Sequence, residues 1–422
     1  MLHETTIKEN TRAIIVGVCL SNRDAERINY SLQELHKLVE TADYEVVSSM
    51  CQNRKSIDKR HYLGKGFVAE IKERMLADDI AYLIFDDEIS PSQQANLEKD
   101  FDIKVLDRTQ IIMKIFYKHA QSSEARLQIR LAELQYELPR LKQSSTAFDR
   151  ISGGAAGGMA AKGAGEMQIN LDRTNIRKEI TLINEKLEKI LVQKNTQSKQ
   201  RERINRVCLV GYTNAGKSTL FNRLTQSDVL VEDKLFATLD STVRSLSLSK
   251  YENFVITDTV GFIAKLPHTL VASFRATLKE AQDADLLLHV VDASQPDFAK
   301  QMSEVNTVLN EIEADHVPVL LVFNKIDKLK PEERVILSNT NKKAVLVSAE
   351  TGLNIENLVK QIEDFFILEI DYQLMIPYKE QKLIAQLHRI AEVKEIEHLE
   401  NGVRMLIRLD SSYKDLVEKY VF

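Results

Sequence analysis

The chain has 422 residues, too many for one ordinary hydrophobic core, and its length points to about three domains. Hydrophobic content of 44% and charged content of 28% exclude a collagen-like or disordered chain. No apolar run reaches the roughly 18 residues a membrane-spanning helix needs, and the polar start Met1-Leu2-His3-Glu4-Thr5-Thr6 lacks a signal-peptide pattern, so a cytoplasmic protein is expected. The three cysteines, Cys19, Cys51 and Cys208, stand far apart without metal or redox spacing, which suits a reducing compartment.

From Arg12 to Asp107 short apolar runs alternate with helical patterns: Ala13 to Val18, Ala25 to Val39, Tyr44 to Val47, Phe67 to Leu76, Ala81 to Phe85, Pro91 to Leu97 and Ile103 to Leu106. This alternation predicts a small α/β domain over 1–110 with a largely parallel sheet. Its basic, glycine-bearing stretch Asp58 to Gly66 reads either as a phosphate contact or as solvated surface.

Residues 111–205 carry two long helical patterns. Leu127, Leu131, Leu134, Leu138 and Leu141 recur at steps of four and three, as do Ile176, Ile180, Ile183, Leu187 and Ile190. Each is a coiled-coil seam, and an antiparallel hairpin is the economical pairing, with Pro139 ending or kinking the first helix. The connection, about 152–166, holds six of the fourteen glycines and predicts a long loop. Residues 111–150 carry seven basic against four acidic side chains and residues 171–206 ten against five, whereas the whole chain has a net charge of −5. A basic hairpin on an acidic protein fits RNA phosphates, the alternative being a solvated coiled-coil face. Lys162, Gly163, Arg173, Arg177 and Arg140 are the candidate RNA contacts; no DNA partner is expected.

Residues 206–368 hold the chemistry. Gly211-Tyr212-Thr213-Asn214-Ala215-Gly216-Lys217-Ser218, with Thr219 beyond it, follows the apolar run Val207 to Val210 and precedes a helical pattern. Strand, glycine loop and helix in that order form a phosphate-binding loop, in which backbone N–H groups wrap phosphates, Lys217 neutralises charge and the Ser218 hydroxyl ligates Mg²⁺. Asp258-Thr259-Val260-Gly261 follows Phe254 to Ile256, placing a carboxylate at a strand's C-terminal end. There Asp258 would hold Mg²⁺ through water, and the Gly261 N–H would meet a γ-phosphate. Asn324-Lys325-Ile326-Asp327 follows Val319 to Phe323 and selects the base, because the Asp327 carboxylate accepts from the guanine N1 and N2 donors where adenine presents an acceptor at N1. Ser348-Ala349-Glu350 closes over the base. Between the first two motifs, Phe236-Ala237-Thr238-Leu239-Asp240 is the place for a mobile segment giving Mg²⁺ a second hydroxyl, from Thr238 or alternatively Thr242. Lys217, Thr238 and Gly261 are the candidate catalytic residues.

Two departures from small GTPases bear on rate. Phe262 stands where many such enzymes carry a water-orienting glutamine, so slow intrinsic hydrolysis is expected. Asn214 could offer its amide oxygen to K⁺, or else stabilise the loop. Beyond it, residues 369–422 predict a small α+β unit, with strands meeting at the turn signal Asn401-Gly402 and no chemical constellation.

Taken together, His61 to Gly66, Ser90 to Leu97, Leu106 to Thr109, Leu127 to Leu141, Gly163 to Glu166, Asp172-Arg173 and Phe236 to Asp240 resemble the HflX family of ribosome-associated GTPases. A monomer is expected, and the resemblance implies that it binds the large ribosomal subunit and its rRNA near the peptidyl transferase centre through the hairpin. It also implies ribosome-stimulated GTP hydrolysis and the splitting or rescue of stalled ribosomes. The chain departs from the family at Gly163-Ala-Gly-Glu-Met-Gln-Ile-Asn170, losing a proline and a final acid. The expected architecture is α/β: a P-loop GTPase domain with a mostly parallel sheet, preceded by the small α/β domain and the hairpin and followed by the α+β unit. A GTP-controlled protein scaffold that ignores RNA is the alternative, and a second nucleotide site in the N-terminal domain has no loop to hold it.

Overall fold

The computed structural model describes residues 10–20, 25–142, 160–199, 205–225, 236, 242–248, 251–265, 270, 275–366, 369–399, 401–410 and 413–421. Strand β1 (Arg12–Cys19) is buried along nearly its whole length, as a strand covered on both faces must be. Helix α1 (Ala25–Thr41), β2 (Glu45–Asn53), α2 (Lys65–Asp78), β3 (Tyr82–Phe85), α3 (Pro91–Phe101) and β4 (Lys104–Asp107) follow. The sheet runs β2-β1-β3-β4 with every pairing parallel. Capping fixes two helix starts: Ser90 with Gln93 closes a capping box on α3, with Pro91 in its first turn, and Asp107 with Gln110 does so on α4 (Arg108–His119).

The hairpin pairs α5 (Ser123–Glu137) with α6 (Ala160–Lys199). Leu131, Leu134 and Ile183 form its buried seam, flanked by Leu127, Ile176, Ile180 and Leu187, and Arg130 pairs with Glu179 at 2.9 Å. Helix α5 stops two residues before Pro139, so Leu138 and Leu141 fall beyond it. The glycine-rich connection is shorter than expected: α6 begins at Ala160, which puts Lys162, Gly163 and Gly165 inside a helix. Alanines at 160, 161 and 164 and a 40-residue helix to extend offset the cost of two glycines, about 1 kcal/mol each. Residues 143–159 lie outside the described set.

The second sheet is built from β5 (Asn205–Gly211), β6 (Thr242–Leu248), β7 (Tyr251–Asp258), β8 (Leu286–Asp292), β9 (Val319–Asn324) and β10 (Val345–Leu346), in the order β10-β9-β8-β5-β7-β6. The pairings from β10 to β7 are parallel, so their C-terminal ends share one edge, where open α/β sheets bind ligands. Helices α7 (Lys217–Thr225), α8 (Arg275–Gln282), α9 (Phe298–Glu311) and α10 (Pro331–Thr340) complete this region, and α11 (Ile355–Phe366) follows in the chain. A three-stranded antiparallel sheet, β11 (Glu369–Ile376), β13 (Gly402–Asp410) and β12 (Glu392–Leu399) in spatial order, carries α12 (Gln381–Ile390). Contacts divide the chain into two units, 1–247 with 251–352, and 248–250 with 353–422.

Candidate nucleotide-binding site

The loop after β5 takes its shape from residues that cannot be exchanged freely. Gly211 has φ +153°, and a Cβ there would strike the Val290 carbonyl; Gly216 has φ +87° and sits against the Asn324 amide. Asn214, at φ +58°, is the non-glycine residue that best tolerates a left-handed turn. Lys217 opens α7 and folds back, its Nζ donating to the carbonyls of Tyr212 at 2.9 Å and Gly211 at 3.2 Å. Burial pushes this amine down to about 8, against the opposing pull of Asp258. His289, in β8, is pushed down to about 4 by burial and then by Lys217, so it stays neutral.

Ser218 and Asp258 meet as the sequence requires, the Ser218 Oγ donating to Asp258 Oδ2 at 2.7 Å. A hydroxyl and a carboxylate converging beside a phosphate-binding loop are the oxygen donors Mg²⁺ takes, and the ion would neutralise charge on bound phosphates. Thr259 Oγ1 donates to the Leu209 carbonyl at 2.6 Å, tying the next segment to β5. Val260 is buried, and Gly261 is packed so closely that a Cβ would lie 2.9 Å from both Lys217 Nζ and Thr213 Cα. Phe262 then bonds the loop in both directions, accepting from Thr213 N at 2.7 Å and donating to the Gly211 carbonyl at 3.1 Å. Its ring is 3% exposed and packed in the core, so it has no means of orienting water. Phe236 is buried at φ +58°, edge-on to Phe116 with centroids 4.6 Å apart. Ala237, Thr238, Leu239 and Asp240 lie outside the described residues, and the alternative Thr242 opens β6.

At the base end, Asn324 braces the fold: its amide donates to the Ala215 carbonyl at 3.0 Å, and its oxygen accepts from Ala349 N at 2.9 Å. Lys325, at φ +62°, donates to the Asn214 carbonyl at 2.7 Å and pairs with Asp292 at 2.9 Å. Ile326 is buried. Asp327 differs from these neighbours: among the described residues its buried Oδ1 has no hydrogen-bond partner, as expected of an acceptor kept for a ligand. Ser348 is buried and accepts from Thr351 N at 3.2 Å, while Arg223 of α7 holds the loop by the carbonyls of Ala349 and Glu350, at 3.2 and 2.6 Å. Arg223 and Asp292 escaped the sequence reading. Asp292 had a signal, since like Asp258 it ends an apolar strand; Arg223 had none, because its partners lie about 126 positions away.

The basic residues singled out on the hairpin separate. Arg177 is exposed and Arg173 half-buried on α6. Arg140 is occupied by the fold, donating to the Ile89 carbonyl at 2.8 Å and the Tyr136 carbonyl at 3.1 Å and lying over the Tyr136 ring. The side chains at 162 and 163 are not described.

This loop, carboxylate and base element on one edge of a parallel sheet define a P-loop GTPase. Over 421 residues, 99% of this chain and 95% of the relative, it is 38% identical to GTPase HflX of Caldanaerobacter subterraneus subsp. tengcongensis. The chain belongs to the HflX family, and it hydrolyses GTP. It is also 38% identical over 405 residues to GTPase HflX of Escherichia coli, covering 94% of this chain and 93% of that one, and 45% identical over 330 residues to that of Flavobacterium psychrophilum, covering 78% of each. Family models match in three consecutive pieces: GTP-binding GTPase N-terminal over 29–117, GTP-binding GTPase Middle Region over 119–201 and 50S ribosome-binding GTPase over 206–325. Among solved structures, a GTP-binding protein from the archaeon Sulfolobus solfataricus in complex with GDP is similar at 26% identity and a TM-score of 0.44, over 84% of this chain and 98% of that one.

Proposed function

We propose that this GTPase is a switch on the large ribosomal subunit, whose hairpin binds rRNA and whose nucleotide state times the splitting or rescue of stalled ribosomes. The backbone of 211–219 cradles the phosphates; Ser218 and Thr238 ligate Mg²⁺, with Asp258 acting through water; Asn214 offers an oxygen to K⁺. Asp327 reads guanine, with 324–326 and 348–350 shaping the base pocket. Phe236 to Asp240 and Asp258 to Gly261 order on the γ-phosphate and relax when it leaves, the differential contact a switch needs. Phe262 is buried and stands where many such enzymes carry a water-orienting glutamine, so hydrolysis by the free protein is slow and the ribosome completes the site.

The observation that carries this reading is the charge of the hairpin, ten basic against five acidic residues over 171–206 in a chain of net charge −5. The match of 206–325 to a 50S ribosome-binding GTPase supports the same partner. The protein acts as a cytoplasmic monomer. GTP turnover with and without large ribosomal subunits, at fixed potassium and several salt concentrations, is the test. Strong, salt-sensitive stimulation is expected; ordinary GTP binding with no stimulation would instead favour a GTP-controlled protein scaffold.

A further inference from the structure

The two outer strands of the C-terminal sheet end differently. On one side β11 is met by the chain's own C-terminal segment, Leu374 forming an antiparallel bridge with Val421. On the other, β12 pairs with β13 and with no further strand among the described residues. It is eight residues long, with a bulge between Val393 and Glu395 that leaves the run to Leu399 regular. An unpaired edge of this length presents a row of free N–H and C=O groups, the template on which another strand forms. Prolines and outward lysines are the usual guards of such an edge. Strand β12 has no proline, and its one lysine, Lys394, reaches across the sheet to both carboxylate oxygens of Asp371 in β11, each at 2.8 Å.

The register gives the two faces of β12 different chemistry. Ile396 and His398 stand opposite Met405 and Val403, which are buried beneath α12, yet Ile396 is 44% exposed, so the helix stops short of this edge and leaves an apolar side chain uncovered. Glu392, Glu395 and Glu397 lie on the opposite face, across from Arg408, Leu406 and Arg404. Arg404 approaches Glu397 only to 3.8 Å, Arg408 turns to Asp371, and Glu392 and Glu395 have no ionic partner among the described residues. We infer that the free edge of β12 binds an extended basic segment of a partner protein, which adds to the sheet as a fourth strand. Its alternate side chains are apolar against Ile396 and lysine or arginine beside Glu395 and Glu397. Charge selects this occupant over others. A second copy pairing edge to edge would bring the same glutamates together, and like charges across a ladder destabilise it. RNA phosphates meet the same repulsion. The inference rests on the C-terminal sheet alone and is independent of the hairpin and the nucleotide.

The test titrates the full chain with a short dye-labelled peptide in which lysine and valine alternate, read by fluorescence anisotropy, and follows amide hydrogen exchange over 392–399 with the peptide bound. Three control peptides accompany it: the same lysines and valines in separate blocks, the alternating sequence with its backbone amides N-methylated throughout, and glutamate in place of lysine. The alternating peptide is expected to bind and to slow exchange in β12, with each control weaker by about tenfold or more. Glu395→Lys combined with Glu397→Lys should weaken binding about tenfold, while basal GTP hydrolysis stays at the wild-type rate and shows that the chain is folded. Equal binding of the blocked or N-methylated peptide would reduce the contact to charge attraction and overturn the inference. Absent binding, binding without protection in β12, or wild-type affinity in the double variant would overturn it as well. Protection over 392–399 that grows with protein concentration, without peptide, would make a second copy the occupant and refute the basic partner.

Discussion

Lys217 brings a buried positive charge to the phosphate end of the site. Its amine is buried, pushed down to about 8, and bonded to two carbonyls of its own loop, so a bound phosphate meets a charge already in place. Lys217→Ala is expected to abolish nucleotide-dependent turnover. The pH dependence has a definite sign. A phosphate anion raises the lysine's affinity for its proton, so nucleotide affinity is flat below about 8 and weakens as pH rises through it, by up to about tenfold per unit until the pKa of the bound state is reached. GDP titrations from pH 6.5 to 9.5 check this, and a flat profile would refute it. Most of the residues around Lys217 were legible in the sequence, because phosphate, Mg²⁺ and guanine each demand fixed residue types at strand ends. Tyr212 was legible only as a member of the loop. Its bond to Glu34 spans 178 positions, and no local pattern encodes a contact between the phosphate-binding loop and helix α1.

Among the elements, α6 departs most from what its sequence suggested. Its N-terminal turns contain Gly163 and Gly165, which read as loop, yet the helix runs from Ala160. Gly163→Ala with Gly165→Ala should stabilise these turns by about 1 kcal/mol per site, measurable as slower amide exchange over 160–170. The seam was legible, since spacing of three and four is the direct imprint of helix geometry, and Leu131, Leu134 and Ile183 are buried where it predicts. Leu134→Ala should cost about 2–5 kcal/mol at this site. Since the seam lies apart from the phosphate loop, basal GTP hydrolysis should survive while ribosome stimulation falls. Equal losses in both would show that the hairpin supports the nucleotide site itself. The ends of α5 follow local chemistry: Ser122 accepts from Ala125 N at 3.0 Å at the start, and Pro139 stops the helix near its finish.

Across the whole molecule, the feature of greatest weight is the buried charge cluster of the N-terminal domain, which Tyr212 and Lys265 of the GTPase region join by hydrogen bonds. Arg108 is the largest fully buried side chain among the described residues and serves Glu34 and Asp86 together. Arg108→Met would take the buried guanidinium from both carboxylates, leaving Asp86 with Ser31 and Lys265 and Glu34 with the Tyr212 hydroxyl, and the expected loss is about 3 kcal/mol, visible as an earlier urea transition. Acid should act in the same direction. Asp86 is held below its ordinary value when folded, so its contribution is present above the unfolded carboxylate range and is lost as pH falls through the lowered folded value. The order of strands and helices in the N-terminal domain was readable from alternating apolar runs. The charge cluster was not, because Glu34 on α1, Asp86 in the bend after β3 and Arg108 on α4 are far apart in the chain and look like ordinary surface residues until the helices pack.

The contrast between Asn324 and Asp327 also opens a practical route. Asn324 ties the phosphate loop to the base loop, whereas the Asp327 Oδ1 serves no partner among the described residues, so recognition of the base can be rewritten without loosening the fold. An Asp327→Asn chain presents a donor where the guanine amino group had needed an acceptor, and xanthine, with a carbonyl in that place, becomes the matching base. Such a variant would answer to xanthosine triphosphate in an extract full of GTP, and this one protein could then be started and stopped while every other GTPase ran undisturbed.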